Sequence, residues 1–271
     1  VGYLNHKPYE ENTTQFQTIE QIGKFLPENR KDTAFLAMAD VDQFLPQDLT
    51  PFTGKSIDGI RVVFYKHQIQ KALAMCEAVK QNGYKLFVQP MVTIDYSIDE
   101  YTALAKQIAR LDPYAVSIVD SFGYMIKSDF RQYFKVLDNI LPAETTVGFH
   151  SHNNMNLSFI TGQDILEYET MRRLIIDASL YGMGRGAGNL QTELIANYYN
   201  MVLGHKYDIV EIMRLIGKYI MPIYENNHWG YSPYFFLTGL YHCHPNYATY
   251  LLQEHQISVS EFEQYLSLIH I

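Results

Sequence analysis

The chain reads as an α/β protein of the (β/α)8 barrel type, and three observations lead there. Short β-rich runs alternate with helix-period runs. The β-rich runs start roughly 25 to 32 residues apart, the length of one βαβ repeat. Strands such as Ile60-Arg61-Val62-Val63-Phe64 are nearly continuous in apolar residues, as a parallel sheet covered on both faces requires.

The expected strands lie at Thr33–Ala39, Gly59–Tyr65, Lys85–Val92, Ala115–Asp120, Thr146–His152 and Leu174–Tyr181. Val1-Gly2-Tyr3-Leu4 reads as the end of a seventh. A closed barrel needs eight. The expectation is therefore a barrel lacking its first βα unit, open beside the strand that holds Val1. Amphipathic helices fill the gaps. Ile69, Ala72, Leu73, Cys76 and Val79 form one apolar stripe, as do Ile98, Tyr101, Leu104, Ala105 and Ile108. Phe130, Tyr133, Phe134, Leu137 and Leu141 form another. Thr18 with Gln21, and Ser97 with Glu100, have capping-box spacing. The alternation stops near Tyr207. Residues 1–204 are expected to form the barrel, and residues 205–271 a helical extension packed on it, with a last helix capped by Ser258 and Glu261.

Composition narrows the function classes. The net charge is −8 with no Lys/Arg block, which argues against nucleic acid or an anionic membrane as partner. No apolar run reaches the roughly 20 residues of a membrane helix. Cys76 and Cys243 are too few for a disulfide framework, so a cytoplasmic location is the default.

His150-Ser151-His152 carries the most chemical information. Residues i and i+2 of a strand face the same side, so both imidazoles can address one ion. Two partly buried histidines bonded to backbone would show the same spacing. Polar clusters recur at three successive strand ends, where barrels place their sites. They are Asp120-Ser121-Phe122-Gly123, His150 to Asn154, and Gly182-Met183-Gly184-Arg185-Gly186-Ala187-Gly188-Asn189. The glycine run allows backbone amides to approach an anion, with Asn189 expected at the next helix N-terminus; tight-turn geometry alone would also explain it. Arg185 would neutralise a carboxylate or join a structural ion pair.

Val147 to Asn154, Asp177 to Asn189 with Gln191-Thr192-Glu193, and Val119-Asp120-Ser121-Phe122-Gly123-Tyr124-Met125 resemble a known family. It is the metal-dependent barrel lyase family of 4-hydroxy-2-oxovalerate aldolase, hydroxymethylglutaryl-CoA lyase and the isopropylmalate and homocitrate synthases. The third motif is nearest to the aldolase branch. The resemblance implies a divalent ion, Mn2+ or Mg2+, held by His150 and His152, with Asn189 a candidate further ligand. It implies that an aspartate ligand and a base lie upstream of Val1, so that this stretch alone would be inactive. Ser121 matches a residue contacting the keto-acid carboxylate. Asp120, Gly184, Arg185 and Gly186 line the implied substrate site. Tyr231 aligns loosely with a tail tyrosine proton donor, but a packed core tyrosine is the expectation from its own surroundings.

The implied activity is cleavage of a 4-hydroxy-2-oxo acid to pyruvate and an aldehyde, with an aldehyde dehydrogenase partner or a homo-oligomer as the implied assembly. Two other readings stay open. One is Claisen-type condensation of acetyl-CoA with a 2-oxo acid. The other is a non-catalytic barrel remnant that binds a partner through its aromatic tail. His242-Cys243-His244 has soft-metal residue types, but core or lid packing is the expectation in so apolar a segment.

Overall fold

The structure is a computed structural model that describes residues 2–30, 32–254 and 257–269. Val1, part of an expected strand, lies outside the described residues. The sheet has eight strands: β1 (Gly2–Leu4), β2 (Gln15–Phe16), β3 (Leu36–Asp40), β4 (Gly59–Phe64), β5 (Lys85–Pro90), β6 (Ala115–Asp120), β7 (Thr146–Ser151) and β8 (Leu174–Ile176). Their order is β2-β1-β3-β4-β5-β6-β7-β8. With helices between the strands, this is an α/β, TIM-barrel-like fold.

One strand was not expected. The edge of β1 does not lie bare: Gln15–Phe16 pairs there in parallel, with Tyr3 opposite Gln15 and Leu4 opposite Phe16. A two-residue strand is too short to produce a period-2 signal. β8 is also shorter than expected. It ends at Ile176, and Tyr181, the last residue of the expected strand, sits in a 3-10 turn with a left-handed φ of 54.

The chain divides into two compact units, and the division runs through β6, β7 and β8. The first comprises Val1–Val119, Tyr133–Gly148 and Arg172–Leu174. Its strands pair in parallel from β1 through β3, β4 and β5 to β6. Leu4, Ala37, Ile60, Val62 and Val116 are fully buried along them. α2 (Ile69–Gln81) follows a 3-10 turn at Lys66–Gln68, as a helix start at Lys66-His67 requires, and buries Ala72, Met75, Cys76 and Val79. α3 (Ile98–Ala109) carries the expected box: Ser97 Oγ accepts from Glu100 N, and Glu100 accepts from Ser97 N. It buries Tyr101, Leu104, Ala105 and Ile108. The box at Thr18 and Gln21 is present too, opening α1 (Ile19–Gly23).

The second unit comprises Asp120–Gln132, Phe149–Met171 and Ile175–Ile271. Along the chain α4 (Lys127–Ile140) and α5 (Ser158–Leu166) come next, and the boundary expected at residue 204 falls inside the second unit, between α6 (Thr192–Leu203) and α7 (Ile209–Leu215). Asp208 caps α7, accepting from Glu211 N at 2.9 Å. A π-helical segment, Ile216–Ile220, leads into α8 (Met221–Tyr224). α9 (Pro233–Leu240), α10 (Asn246–Glu254) and α11 (Val259–Ile269) follow. Leu237, Cys243, Ala248, Phe262 and Leu266 form their shared core. Ser258 and Glu261 make the expected cap of α11. Among the described residues, no helix is long and apolar enough to cross a membrane.

Candidate functional site at the ends of three strands

β7 buries Val147 and Phe149 while His150 stays half-exposed at its end. The two imidazoles lie edge to face, with ring centroids 5.6 Å apart, so the i,i+2 reading of His150 and His152 holds geometrically. Each ring has its Nδ1 engaged. His150 Nδ1 is 3.1 Å from Asp177 Oδ2, just beyond β8. His152 Nδ1 is 3.3 Å from the carbonyl of Arg185. An acceptor at Nδ1 places the ring proton there and leaves Nε2 as the lone-pair nitrogen. Burial, then His150 and Arg185, hold the His152 imidazole down at about 3, so it is neutral at ordinary pH.

The glycine loop folds back over Asn189. Gly182, Gly186 and Gly188 adopt φ 65, 67 and 85, values that only glycine takes without strain. A Cβ on Gly184 would collide with the Asn189 side-chain amide, and one on Gly188 with the carbonyl of Gly182. Asn189 is not at the helix N-terminus expected for it: α6 begins at Thr192. Its backbone instead forms an antiparallel bridge with His152. Its Nδ2 donates to the Met183 carbonyl at 2.9 Å. Its Oδ1 is buried with no hydrogen-bond partner among the described residues.

The third cluster faces its own loop. The buried Asp120 carboxylate accepts from Tyr124 N and Met125 N, both at 3.1 Å. Burial pushes its carboxyl up to about 7, opposed by these loop amides, which favour the anion. Asp120 thus shapes the turn that carries the buried Ser121. That turn lies against the histidine segment: a Cβ on Gly123 would sit 2.5 Å from Asn154 N, and Asp120 O accepts from His152 N at 3.0 Å. Arg185 is exposed on the glycine loop.

The structure therefore brings His150, His152 and Asn189 together, with the loops of Ser121 and Arg185 beside them. Tyr231 is not buried as a core residue would be. It is 58% exposed, on the segment before α9, and no described contact joins it to the histidines. His242-Cys243-His244 packs as expected. Cys243 is buried, His242 stacks on Tyr124 at 4.2 Å between centroids, and His244 meets Phe122 edge-on at 5.7 Å. Sequence reasoning missed two participants. Asp177 was visible in the second motif but had no assigned role. Asn154 was visible beside the histidines; its Oδ1 accepts from Ala187 N at 3.1 Å and its Nδ2 donates to Thr238 Oγ1 at 3.4 Å.

The donors can be tested against a divalent ion. Among the described residues no three His, Cys, Asp or Glu side chains converge as a ligand group. The imidazoles of His150 and His152 stand side by side, and Asn189, bridged to His152 through its backbone, carries an unpartnered amide oxygen; these donor types suit part of such an ion's coordination sphere.

The HMGL-like family matches residues 63–217, and the chain belongs to that family. It is 31% identical over 130 residues to a 4-hydroxy-2-oxovalerate aldolase of Pseudoalteromonas translucida (strain TAC 125), covering 48% of this chain and 37% of that enzyme. The chain thus spans little more than a third of the length of such relatives. In fold it is similar to the N-terminal domain of a Bacteroides vulgatus protein, with TM-score 0.76 at 21% identity over 94% of this chain and 85% of that one. It is also similar to HMG-CoA lyase from Brucella melitensis, with TM-score 0.58 at 15% identity over 73% and 76%.

Proposed function

We propose that the whole protein is a divalent-metal-dependent aldolase that cleaves a 4-hydroxy-2-oxo acid to pyruvate and an aldehyde. One observation carries the proposal. Both imidazoles are anchored through Nδ1, and Asn189, bridged to His152 through its backbone, has a buried Oδ1 that lacks a partner among the described residues. The ring nitrogens and the amide oxygen would hold Mn2+ or Mg2+, with carboxylate or water oxygens completing the sphere. Bound there, the ion would act as a Lewis acid toward the keto and carboxylate oxygens of the substrate.

The chain's own residues orient the imidazoles and the substrate. Asp177 fixes the His150 ring, and the Arg185 carbonyl fixes that of His152. Arg185 and Ser121 are the charge and hydroxyl for the substrate carboxylate, on loops that Gly184, Gly186 and Asp120 shape. A general base takes the 4-hydroxyl proton, and the C3–C4 electron pair passes into the pyruvate enolate as the aldehyde leaves. The enolate then takes up a proton at C3. The likeness to aldolases at about 30% identity supports this reading over acyl transfer.

The test is pyruvate release from 4-hydroxy-2-oxo acids by the whole protein, with and without manganese. His152→Ala should abolish the manganese-dependent rate. Full activity in chelator, or undiminished activity in the variant, would overturn the proposal.

A further inference from the structure

We infer that His244, carried by the C-terminal tail, is a substrate-contacting residue of this site, its Nε2–H donating to the carboxylate of the bound 2-oxo acid. The inference rests on the reading just proposed and extends it to a part of the chain that the strand-end motifs do not include.

The tail is fastened to all three strand-end loops. His242 lies flat on Tyr124, with an interplanar angle of 11°. Cys243 is buried in the tail core. Thr238 holds Asn154, which in turn holds Ala187 of the glycine loop. Pro245 closes on Gly186, where an added Cβ would sit 3.4 Å from its side chain. These contacts fix where His244 can be. Its ring stands edge-on against Phe122, the residue after Ser121, and the next residue abuts the loop of Arg185.

The tautomer is also set. Asn246 N donates to His244 Nδ1 at 3.1 Å. A backbone N–H can only be accepted by the unprotonated nitrogen, so the proton of the neutral ring is on Nε2. Burial, and then the charge of Arg185, hold His244 down at about 4, in keeping with a neutral donor. Among the described residues Nε2 has no hydrogen-bond partner. A half-buried N–H between a hydroxyl-bearing loop and an arginine is a donor suited to an anion, and the anion of the proposed substrate is its carboxylate.

Two substitutions test this in the whole protein. His244→Phe keeps the packing on Phe122 and removes the donor. His244→Gln places an amide N–H near the same point. His244→Phe should raise KM about ten- to a hundredfold, with a smaller change in kcat. It should weaken pyruvate binding, measured by calorimetry in the presence of manganese, by a similar factor. His244→Gln should stay within about threefold of wild type. Manganese affinity should be unchanged in both. If phenylalanine does not fit, His244→Ala carries the same expectation, and thermal melting identifies a misfolded variant. Wild-type pyruvate affinity in a folded His244→Phe or His244→Ala protein would overturn the inference, as would parallel loss of manganese affinity or a wild type that binds no pyruvate. Wild-type pyruvate binding that depends on His244, without aldol cleavage, would instead sink the proposed reaction and leave this contact standing.

Discussion

His150 Nδ1 lies 3.1 Å from Asp177 Oδ2, so the first imidazole is held by a carboxylate from the neighbouring strand end. Such a partner fixes ring orientation and raises the basicity of the opposite nitrogen. Asp177→Asn should weaken manganese binding about ten- to a hundredfold while the fold stays intact. Titration calorimetry with manganese, beside a thermal melt, measures both. Unchanged affinity would show that the ring needs no such support.

Gly184 is required by the Asn189 amide rather than by its own backbone angles. Gly184→Ala should displace Asn189 and lower manganese affinity and activity. Gly217, in the π-helical segment, has open space around it. Gly217→Ala should therefore stabilise the protein, by about 0.5–1 kcal/mol, and leave the site untouched. Denaturant titration of the two variants separates a packing constraint from a general intolerance of alanine.

Glu100 gives a pH-dependent check on the fold. The Lys66 ammonium at 2.7 Å, then the Ser97 backbone, hold its carboxyl down at about 2, against an ordinary 4.5. A depressed carboxyl contributes stability above its unfolded value. That contribution is lost as pH falls from 4.5 through about 2. The group is exposed, so the effect is small. Glu100→Gln should lower Tm slightly at neutral pH, and the difference should vanish near the acid end. A difference that persists there would assign the effect to helix capping alone.

Phe262 is fully buried in the tail core. Phe262→Ala should cost about 3–5 kcal/mol, read from denaturant midpoints.

Much of this was legible in the sequence because it is local. The helix stripes at Tyr101 to Ile108 and Phe130 to Leu141 are buried as their spacing predicts. The caps at Thr18, Ser97 and Ser258 form within four residues. His150 and His152 lie on the same side because strand geometry places i and i+2 there. What stayed hidden depends on distant partners or on too few residues. β2 is two residues long, and only its pairing with β1 makes it a strand. Tyr231 and His244 are both tail residues in aromatic surroundings. Nothing local distinguishes the exposed one from the one seated on Phe122. That difference lies in partners distant in the chain, such as Phe122 for His244.

The Asn154 relay bears on how the molecule breathes. The Ala187 amide is closed not by secondary structure but by a side chain that the tail also grips. Local opening of the tail, well short of global unfolding, would release that amide to solvent. Hydrogen exchange at Ala187 should then follow the opening free energy of the tail, while exchange at Val62 and Val88, deep in the sheet, follows that of the whole protein. The glycine loop would thus borrow its order from helices far along the chain, and a ligand that holds the tail in place would slow exchange in a loop it need not touch.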